Sequence, residues 1–302
     1  MKNKVLYIAG TGRCGSTILD MVLGQLPGAT SVGELRYLWK RGVGENRLCG
    51  TGEPFTENTQ WKNIVEALYG DDLHTKASEF SALESSLRIR AMLGLKTQIK
   101  LNILRSNVSP YAKELRRVLG AIQNEFKSNL IIDSSKMPMH GFALAQIPDI
   151  DLRVIHLVRD RKAVVHSWNT AKFDKGKDGM MNAQSVRKAS IEWELINRWI
   201  VRYLGDGSVP YKKVSYAKFT EDPVNTVNDI IDFLDENTDL NPVGIDKGLD
   251  ILPTPSISGN PMRFCRGHTM IKEDVRWKTD MPYRKRLLSD VYAAGIKSLF
   301  FL

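Results

Sequence analysis

The chain has 302 residues, of which 42% are hydrophobic and 25% are charged, a composition typical of a globular protein. This composition excludes a collagen, a disulfide-dense miniprotein and a largely disordered chain. The formal charge of +9 favours an anionic ligand, whether a nucleic acid, a lipid surface or a polyanionic small molecule.

Four short apolar runs, mostly continuous rather than alternating, predict strands that are buried on both faces. They are Val5–Ala9, Leu130–Asp133, Val154–Val158 and Val214–Tyr216. Amphipathic patterns between and after them predict helices at Ser16–Leu26, Lys162–Lys172, Gln184–Leu204, Val224–Leu234 and Pro282–Leu299. The alternation favours an α/β fold, with a parallel sheet flanked by helices, as a single domain over residues 1–302.

Two segments interrupt this alternation. Thr59–Lys127 repeats leucine and isoleucine at helical spacing, which predicts a helical insertion between the first and second core strands. From Ser85 to Lys127 it holds nine Lys and Arg against two acidic residues, so it either covers a functional site or presents a solvated basic face. Asn241–Thr269, rich in Pro, Gly and Ser, predicts a long loop.

Cysteine spacing and hydropathy bear on the compartment. Cys14, Cys49 and Cys265 are widely spaced and form neither a CxxC pair nor a zinc-ligand pattern. No apolar run approaches the roughly 18 residues that span a bilayer. The first residues lack the apolar core of a signal peptide. We therefore expect a cytoplasmic protein with reduced thiols and without a transmembrane segment.

A glycine-rich turn follows the first predicted strand and precedes a helix. The spacing of Gly10 and Gly15 matches the G-x-x-x-x-G of a phosphate-binding loop, whose N–H groups point at an anion. Ser16 stands where a nucleotide triphosphatase has its lysine, and Arg13 is the only cation of the loop. The loop is therefore suited to a single 5′-phosphate-like group, held with the help of Ser16 and Thr17. The alternative is a purely structural glycine turn.

A second predicted anion site follows the third strand. Arg159 stands where that strand ends, Asp160 is placed to cap the next helix, and Ser167 lies about two helical turns further on. Both functional groups then face the carboxyl edge of the sheet, where ligands bind in open α/β folds. Two separate phosphate sites fit 3′-phosphoadenosine 5′-phosphosulfate (PAPS), whereas the phosphates of ATP form one chain.

Together these motifs resemble the PAPS-dependent sulfotransferases, in particular a bacterial branch similar to the tyrosylprotein and carbohydrate sulfotransferases. Gly12–Thr17 resembles the 5′-phosphosulfate loop of that family, with Cys14 in place of the usual serine. Tyr216, which precedes Glu221-Asp222-Pro223, resembles a tyrosine of the family that contacts the adenosine. The Gly259–Arg263 segment resembles a basic loop of the family that closes over the nucleotide, which makes Arg263 a candidate contact. The resemblance implies a nucleotide site formed by Arg13, Cys14, Gly15, Ser16, Thr17, Arg159, Ser167, Tyr216 and Arg263.

The implied reaction is the in-line attack of an acceptor hydroxyl, or less often an amine, on the sulfuryl group of PAPS, with release of 3′,5′-ADP. It needs a base, positive charge at the leaving phosphate, and alignment. The resemblance implies Glu34 as the base, with Lys136 and Arg13 stabilising the leaving group. No metal is required, because fixed cations supply the charge.

Alternatives to these roles remain open. His140, near the end of the second predicted core strand, is the other candidate base, and Glu34 is otherwise an ion-paired carboxylate beside Arg36. Asp133 is placed to organise the Ser134–Lys136 turn.

Two other functions share some of these features. A P-loop kinase or NTPase has the same fold and loop, but the missing lysine argues against it. A non-enzymatic RNA- or membrane-binding protein would use the basic segment, which has only Tyr111 and Phe126 as aromatic residues for base stacking. We expect PAPS and 3′,5′-ADP as ligands, a hydroxyl-bearing acceptor of unknown class, and no specific nucleic acid.

Overall fold

The computed structural model describes residues 3–87, 98–234 and 249–299. The central sheet consists of five parallel strands in the order β2-β3-β1-β4-β7. The strands are β1 (Asn3–Gly10), β2 (Ala29–Gly33), β3 (Leu130–Lys136), β4 (Ile150–Val158), β5 (Phe173–Asp174), β6 (Gly179–Met180), β7 (Tyr211–Ser215), β8 (Leu249–Ile251) and β9 (Gly267–Thr269). β5 pairs with β6, and β8 with β9, as short antiparallel ribbons outside the sheet.

Helices flank the sheet on both faces, which confirms the predicted α/β class. They are α1 (Ser16–Leu23), α2 (Thr59–Tyr69), α3 (Leu73–Ser86), α4 (Gln98–Phe126), α5 (Pro138–Leu144), α6 (Arg161–Asn169), α7 (Val186–Leu204), α8 (Tyr216–Glu221), α9 (Pro223–Phe233), α10 (Trp277–Asp280) and α11 (Tyr283–Leu299). No helix within the described ranges is both long enough and apolar enough to cross a bilayer.

The central strand β1 explains why its sequence is continuously apolar. Val5 and Tyr7 pack into one core layer, and Leu6 and Ile8 pack into the layer on the other face of the sheet. All four side chains are fully buried. Because helices cover both faces, neither set of alternating residues meets water, and the period-two pattern of a half-exposed strand is absent.

The sequence prediction missed β2. Its residues, Ala29–Gly33, include Thr30 and Ser31 and directly follow Pro27-Gly28, so they lack the continuous apolar pattern of the predicted strands. The strand forms because it lies at the edge of the sheet and pairs with β3 alone. It matters for the site, since it ends directly before Glu34.

The helical insertion lies between β2 and β3 and contains α2, α3 and α4. Trp61 of α2 and Tyr111 of α4 are fully buried against the sheet core. Of the predicted basic segment, residues 88–97 lie outside the described residues. Two of the other cations, Arg116 and Arg117, pair with Asp149 and Glu114.

The predicted loop Asn241–Thr269 is described only from residue 249, because residues 241–248 lie outside the described ranges. The described part is not wholly irregular, since β8 and β9 pair across it. Between them, the segment around Ser258 packs on the strand β2 side, where the Glu34 N–H donates to the Ser258 carbonyl at 3.2 Å.

Candidate active site

The glycine-rich turn lies between β1 and α1, at the carboxyl edge of the sheet. Arg13 and Gly15 have left-handed backbone conformations, with φ of 69° and 97°. A Cβ at position 15 would lie 2.2 Å from Cε2 of Tyr216, so only glycine allows this ring to pack on the loop. The loop therefore has a fixed shape that includes an aromatic wall.

A cavity of about 520 Å³, here called the first cavity, opens at this edge of the sheet. Nine of the predicted site residues line it: Arg13, Gly15, Ser16, Thr17, Glu34, Lys136, Arg159, Ser167 and Tyr216. The phosphate loop and the segment after β4 thus face the same space, although about 150 residues separate them in the chain. The carboxyl ends of parallel strands meet at one edge, and this brings the two motifs together.

Arg13 presents unused hydrogen-bond donors in the first cavity. Its guanidinium lies 4.8 Å from the ring centre of Trp168, and its Nη2 meets the Met181 sulfur at 3.2 Å. Nε and Nη1 are buried and have no hydrogen-bond partner among the described residues. Burial lowers the pKa of Arg13, while Glu34 and Asp174 oppose that shift. An anion in the cavity would satisfy these donors.

Arg159 connects the two predicted anion sites. Its Nη1 donates to the Arg13 carbonyl at 3.2 Å, and its guanidinium lies 4.8 Å from the Tyr216 ring centre. Asp160 caps α6 by accepting from the Ala163 N–H at 3.1 Å, as the sequence predicted. This cap fixes where α6 begins and so places Ser167, which is buried, at the cavity wall.

Glu34 and Lys136 form an ion pair at the ends of two neighbouring strands. Lys136 Nζ donates to Glu34 Oε1 at 2.7 Å and to the Ser134 carbonyl at 3.0 Å. Burial alone would raise the pKa of Glu34, but Lys136 and then Arg41 outweigh it and hold that pKa below its ordinary value. Glu34 is therefore an ionised carboxylate at neutral pH. The expected pairing with Arg36 is absent.

His140 lies in the core and makes hydrogen bonds at both ring nitrogens. Nε2 meets Asp133 Oδ2 at 2.7 Å, and Nδ1 meets the Tyr111 hydroxyl at 2.8 Å. Asp133 also accepts from the Ser135 N–H at 2.9 Å, so it organises the Ser134–Lys136 segment as predicted. Since neither ring nitrogen is free and His140 does not line the first cavity, Glu34 is the better-placed base.

Two predicted residues do not reach the first cavity with their side chains. Cys14 is fully buried in the core beneath the loop, and this burial raises the pKa of its thiol. Arg263 is buried outside the cavity, where it donates to the carbonyls of Gly259 at 2.8 Å and Leu48 at 3.3 Å. A guanidinium held by two carbonyls fastens the Gly259 loop to the Leu48 segment.

Sequence reasoning missed several residues of the first cavity. Trp168 donates its indole N–H to the Gly12 carbonyl at 3.2 Å and so packs on the phosphate loop. Lys172 and Lys272 add positive charge to the wall, whereas Arg276 is ion-paired with Asp274 of the same wall at 2.8 Å. Trp168 was adjacent to the predicted Ser167, but no sequence pattern distinguishes an indole that supports a loop from one that fills a core.

A second cavity, of about 630 Å³, adjoins the first. Both are lined by Arg36, Tyr37 and Arg41, which follow Glu34 in the chain. His140 and Tyr111 form part of the wall of the second cavity. The two cavities therefore share wall residues of the segment that directly follows Glu34.

Comparisons with known proteins identify the fold and the family of the chain. A search of curated proteins found no match to this sequence. A sulfotransferase domain from the Synechococcus PCC 7002 olefin synthase superposes with a TM-score of 0.52 at 20% identity, over 98% of this chain and 95% of that one. A sulfotransferase domain from the curacin biosynthetic pathway gives 0.53 at 17% identity, over 98% of both chains. These similarities show the fold. The model of the sulfotransferase family matches residues 6–239, and the chain therefore belongs to this family.

Proposed function

We propose that the protein transfers the sulfuryl group of PAPS to an acceptor hydroxyl, as a single transferase domain. The observation that carries this proposal is the composition of the first cavity. It combines the phosphate loop, the Arg159 and Ser167 pair, and the Glu34–Lys136 ion pair in one space. Each of these groups has a distinct task in sulfuryl transfer, and a structural glycine turn needs none of them.

The residues of the first cavity fit the two anionic ends of PAPS. The unpaired Nε and Nη1 of Arg13, with the hydroxyls of Ser16 and Thr17, suit the 5′-phosphosulfate. Arg159 and Ser167 lie on the wall formed after β4 and suit the 3′-phosphate. Tyr216, whose ring is fixed between Gly15 and Arg159, suits the adenosine. Arg263 and the side chain of Cys14 have no part in this site.

When bound, PAPS supplies an activated sulfuryl group whose leaving group is 3′,5′-ADP. Glu34 accepts the proton of the acceptor hydroxyl while the new oxygen–sulfur bond forms. Lys136 and Arg13 stabilise the negative charge that departs on the 5′-phosphate as the old oxygen–sulfur bond breaks. Lys136 has a second effect before the reaction, because it keeps Glu34 ionised and ready to accept a proton.

The second cavity supports a place for the acceptor. Helices α3 and α4 of the insertion contribute Glu84 and Tyr111 to its wall. The insertion would then cover the acceptor side of the site, as the sequence analysis expected.

Calorimetric titration of the full chain with 3′,5′-ADP and with ATP–Mg²⁺ tests the donor assignment. Micromolar binding of 3′,5′-ADP in the presence of a chelator, with much weaker binding of ATP, is expected from two separate phosphate sites and no phosphate-loop lysine. A preference for ATP–Mg²⁺ would instead assign the protein to the kinases and NTPases. The release of 3′,5′-ADP from PAPS in the presence of simple alcohols then tests the transfer itself.

A further inference from the structure

The second cavity holds four cationic side chains, and two of them are neutralised. Arg36 forms an ion pair with Glu84 at 2.6 Å. Arg47 forms an ion pair with Glu45. Glu84 and Glu45 line the same cavity, so these two ion pairs together offer no net charge to a ligand.

Lys40 and Arg41 have no carboxylate within ion-pair distance among the described residues. Arg41 is half-buried between the two cavities. Its guanidinium lies 3.5 Å from the Tyr37 ring centre, and its Nη1 donates to the Ser258 hydroxyl at 2.6 Å. Both of these partners are neutral. Glu34 interacts with Arg41 at longer range but is ion-paired with Lys136, so these three groups together keep one net positive charge. Lys40 is exposed at the same wall.

The third carboxylate of the second cavity does not balance this charge. Glu192 accepts a hydrogen bond from Gln184 at 3.0 Å and lies 3.8 Å from Lys188 Nζ. Both partners of Glu192 lie on α7 or directly before it. The wall of the second cavity therefore carries four cations against three carboxylates, and Lys40 and Arg41 are the two cations outside any ion pair among the described residues.

We propose that the acceptor carries an anionic carboxylate or phosphate group in addition to its hydroxyl, and that Lys40 and Arg41 bind this group in the second cavity. This inference rests on the proposed function. An acceptor held there by its acid reaches the first cavity past Arg41 and Tyr37 and presents its hydroxyl to Glu34. A guanidinium and an ammonium both bind carboxylate and phosphate groups.

Three hydroxyl compounds of equal chain length test the inference: 6-hydroxyhexanoate, 6-hydroxyhexyl phosphate and 6-hydroxyhexanamide. The assay measures the release of 3′,5′-ADP from PAPS by the full chain. We expect kcat/KM for at least one anion to exceed that for the amide by roughly 10- to 100-fold, the usual effect of a charge-assisted hydrogen bond. The ratio between the two anions shows whether the site prefers a carboxylate or a phosphate.

Lys40→Met assigns the preference to this wall, because Lys40 lines the second cavity only. We expect it to lower kcat/KM for the preferred anion about tenfold and to affect the amide less. Lys113→Met, which removes an exposed lysine of α4 that lines neither cavity, is the matched control and is expected to change nothing.

Equal rates for acids and amide overturn the inference, and so does the absence of turnover of both anions in protein that binds 3′,5′-ADP. Equal losses in Lys40→Met and Lys113→Met also overturn it. Protein that fails to bind 3′,5′-ADP contradicts the proposed function instead, so the two failures are separated by calorimetry on the same samples.

Discussion

The first and second cavities adjoin, but different parts of the fold build them. The side chains of the first cavity with proposed roles in the chemistry project from the ends of parallel strands or from the turns that follow, as Glu34, Lys136 and Arg159 do. The second cavity is formed by the 3-10 turn Leu35–Tyr37, the π-helical segment Leu38–Gly44 with the loop that follows it, and helices of the insertion. Strand ends are fixed by the sheet register, whereas connecting segments vary without disturbing the core. We therefore expect substitutions in the first cavity to abolish the reaction and those in the second to tune it.

The largest effect is expected from Glu34→Gln. Loss of a general base costs roughly 10²- to 10⁴-fold in kcat, while 3′,5′-ADP affinity is expected to stay the same because the proposed role of Glu34 is toward the acceptor hydroxyl. Glu66→Gln, an exposed glutamate of α2, is the matched control. Rates and calorimetric affinities measured on the same preparations check both statements. An equal loss of affinity and turnover would remove Glu34 from the role of base.

The pH profile of kcat gives an independent reading of the same residue. The pKa of Glu34 is held below its ordinary value of 4.5 by Lys136 and Arg41, against the opposing effect of burial. Glu34 thus stays ionised throughout the neutral range and loses its capacity to accept a proton only in acid. We expect kcat to be flat on its acidic side down to below the ordinary glutamate pKa. An acidic limb centred near pH 6 would contradict this assignment.

The next largest effect concerns the stability of the donor side. Asp20, on α1 below the phosphate loop, is buried and accepts from the Ser31 hydroxyl at 2.8 Å, while its Oδ1 has no partner among the described residues. Burial raises its pKa from 3.8 to about 7, although the Ser31 hydrogen bond opposes this. The stability that the protonated form contributes is full below pH 3.8 and is lost as the pH rises through about 7.

Asp20→Asn keeps an acceptor for Ser31 and removes the ionisation. The raised pKa of Asp20 corresponds to a change in the free energy of unfolding on the order of 4 kcal/mol. This value is the upper limit of the stability that the variant can gain in alkaline solution. We expect the variant to be more stable than the parent at pH 8, with a gap that shrinks towards pH 5, in denaturant titrations. Asp71→Asn, at an exposed position, should show no such pH-dependent difference in stability from the parent. A pH-independent gap would show that Asp20 does not titrate in this range.

Arg159→Ala is expected to weaken 3′,5′-ADP by roughly 10- to 100-fold, because charge-assisted hydrogen bonds to the 3′-phosphate are lost. AMP lacks that phosphate and serves as the internal control. If the loss of the hydrogen bond from Arg159 to the Arg13 carbonyl displaces the phosphate loop, the binding of both ligands weakens. Arg116→Ala, at a surface arginine paired with Asp149, is the matched control protein. Equal weakening of both nucleotides would show that Arg159 supports the loop without reading the 3′-phosphate.

The residues at strand ends were easier to predict from the sequence than those on connecting segments. Arg13, Ser16 and Arg159 lie beside strand patterns, so their meeting at one edge of the sheet was predictable from topology. The position of Arg263 was not predictable, because a basic loop can direct its guanidinium either to a ligand or to carbonyl oxygens, and here it donates to carbonyl oxygens. That choice depends on the distant Leu48 segment, which no local pattern identifies.

The acceptor side was less predictable for physical reasons. The sequence leaves open whether the basic segment Ser85–Lys127 covers a functional site, yet among the described residues Lys40 and Arg41, from the segment after Glu34, are the cations of the second cavity outside any ion pair. Whether a cation is free for a ligand depends on the carboxylate that packs against it, as Glu84 does against Arg36. Such pairing is a property of tertiary structure and leaves no periodicity in the sequence.

The smallest effect on catalysis is expected from substitution of the two buried histidines, His140 and His156. Comparing the two variants distinguishes a structural role from a catalytic one. His140 bonds to Asp133 and Tyr111, and His156 bonds to Tyr211 at 2.6 Å and to Asn197 at 2.7 Å. Each loses two buried hydrogen bonds on substitution by glutamine, so both variants should have a Tm lower by several degrees.

Only His140→Gln should also slow turnover, and by a few-fold, because Asp133 then holds the Ser135 segment and its neighbour Lys136 less firmly. His156 lies on β4 away from both cavities, and His156→Gln should leave kcat unchanged. A shared shape of the pH profile in His140→Gln and the parent would mark His140 as a positioning residue. A loss as large as that of Glu34→Gln, with a displaced acidic limb, would make His140 the base and place the acceptor hydroxyl in the second cavity rather than at its boundary with the first.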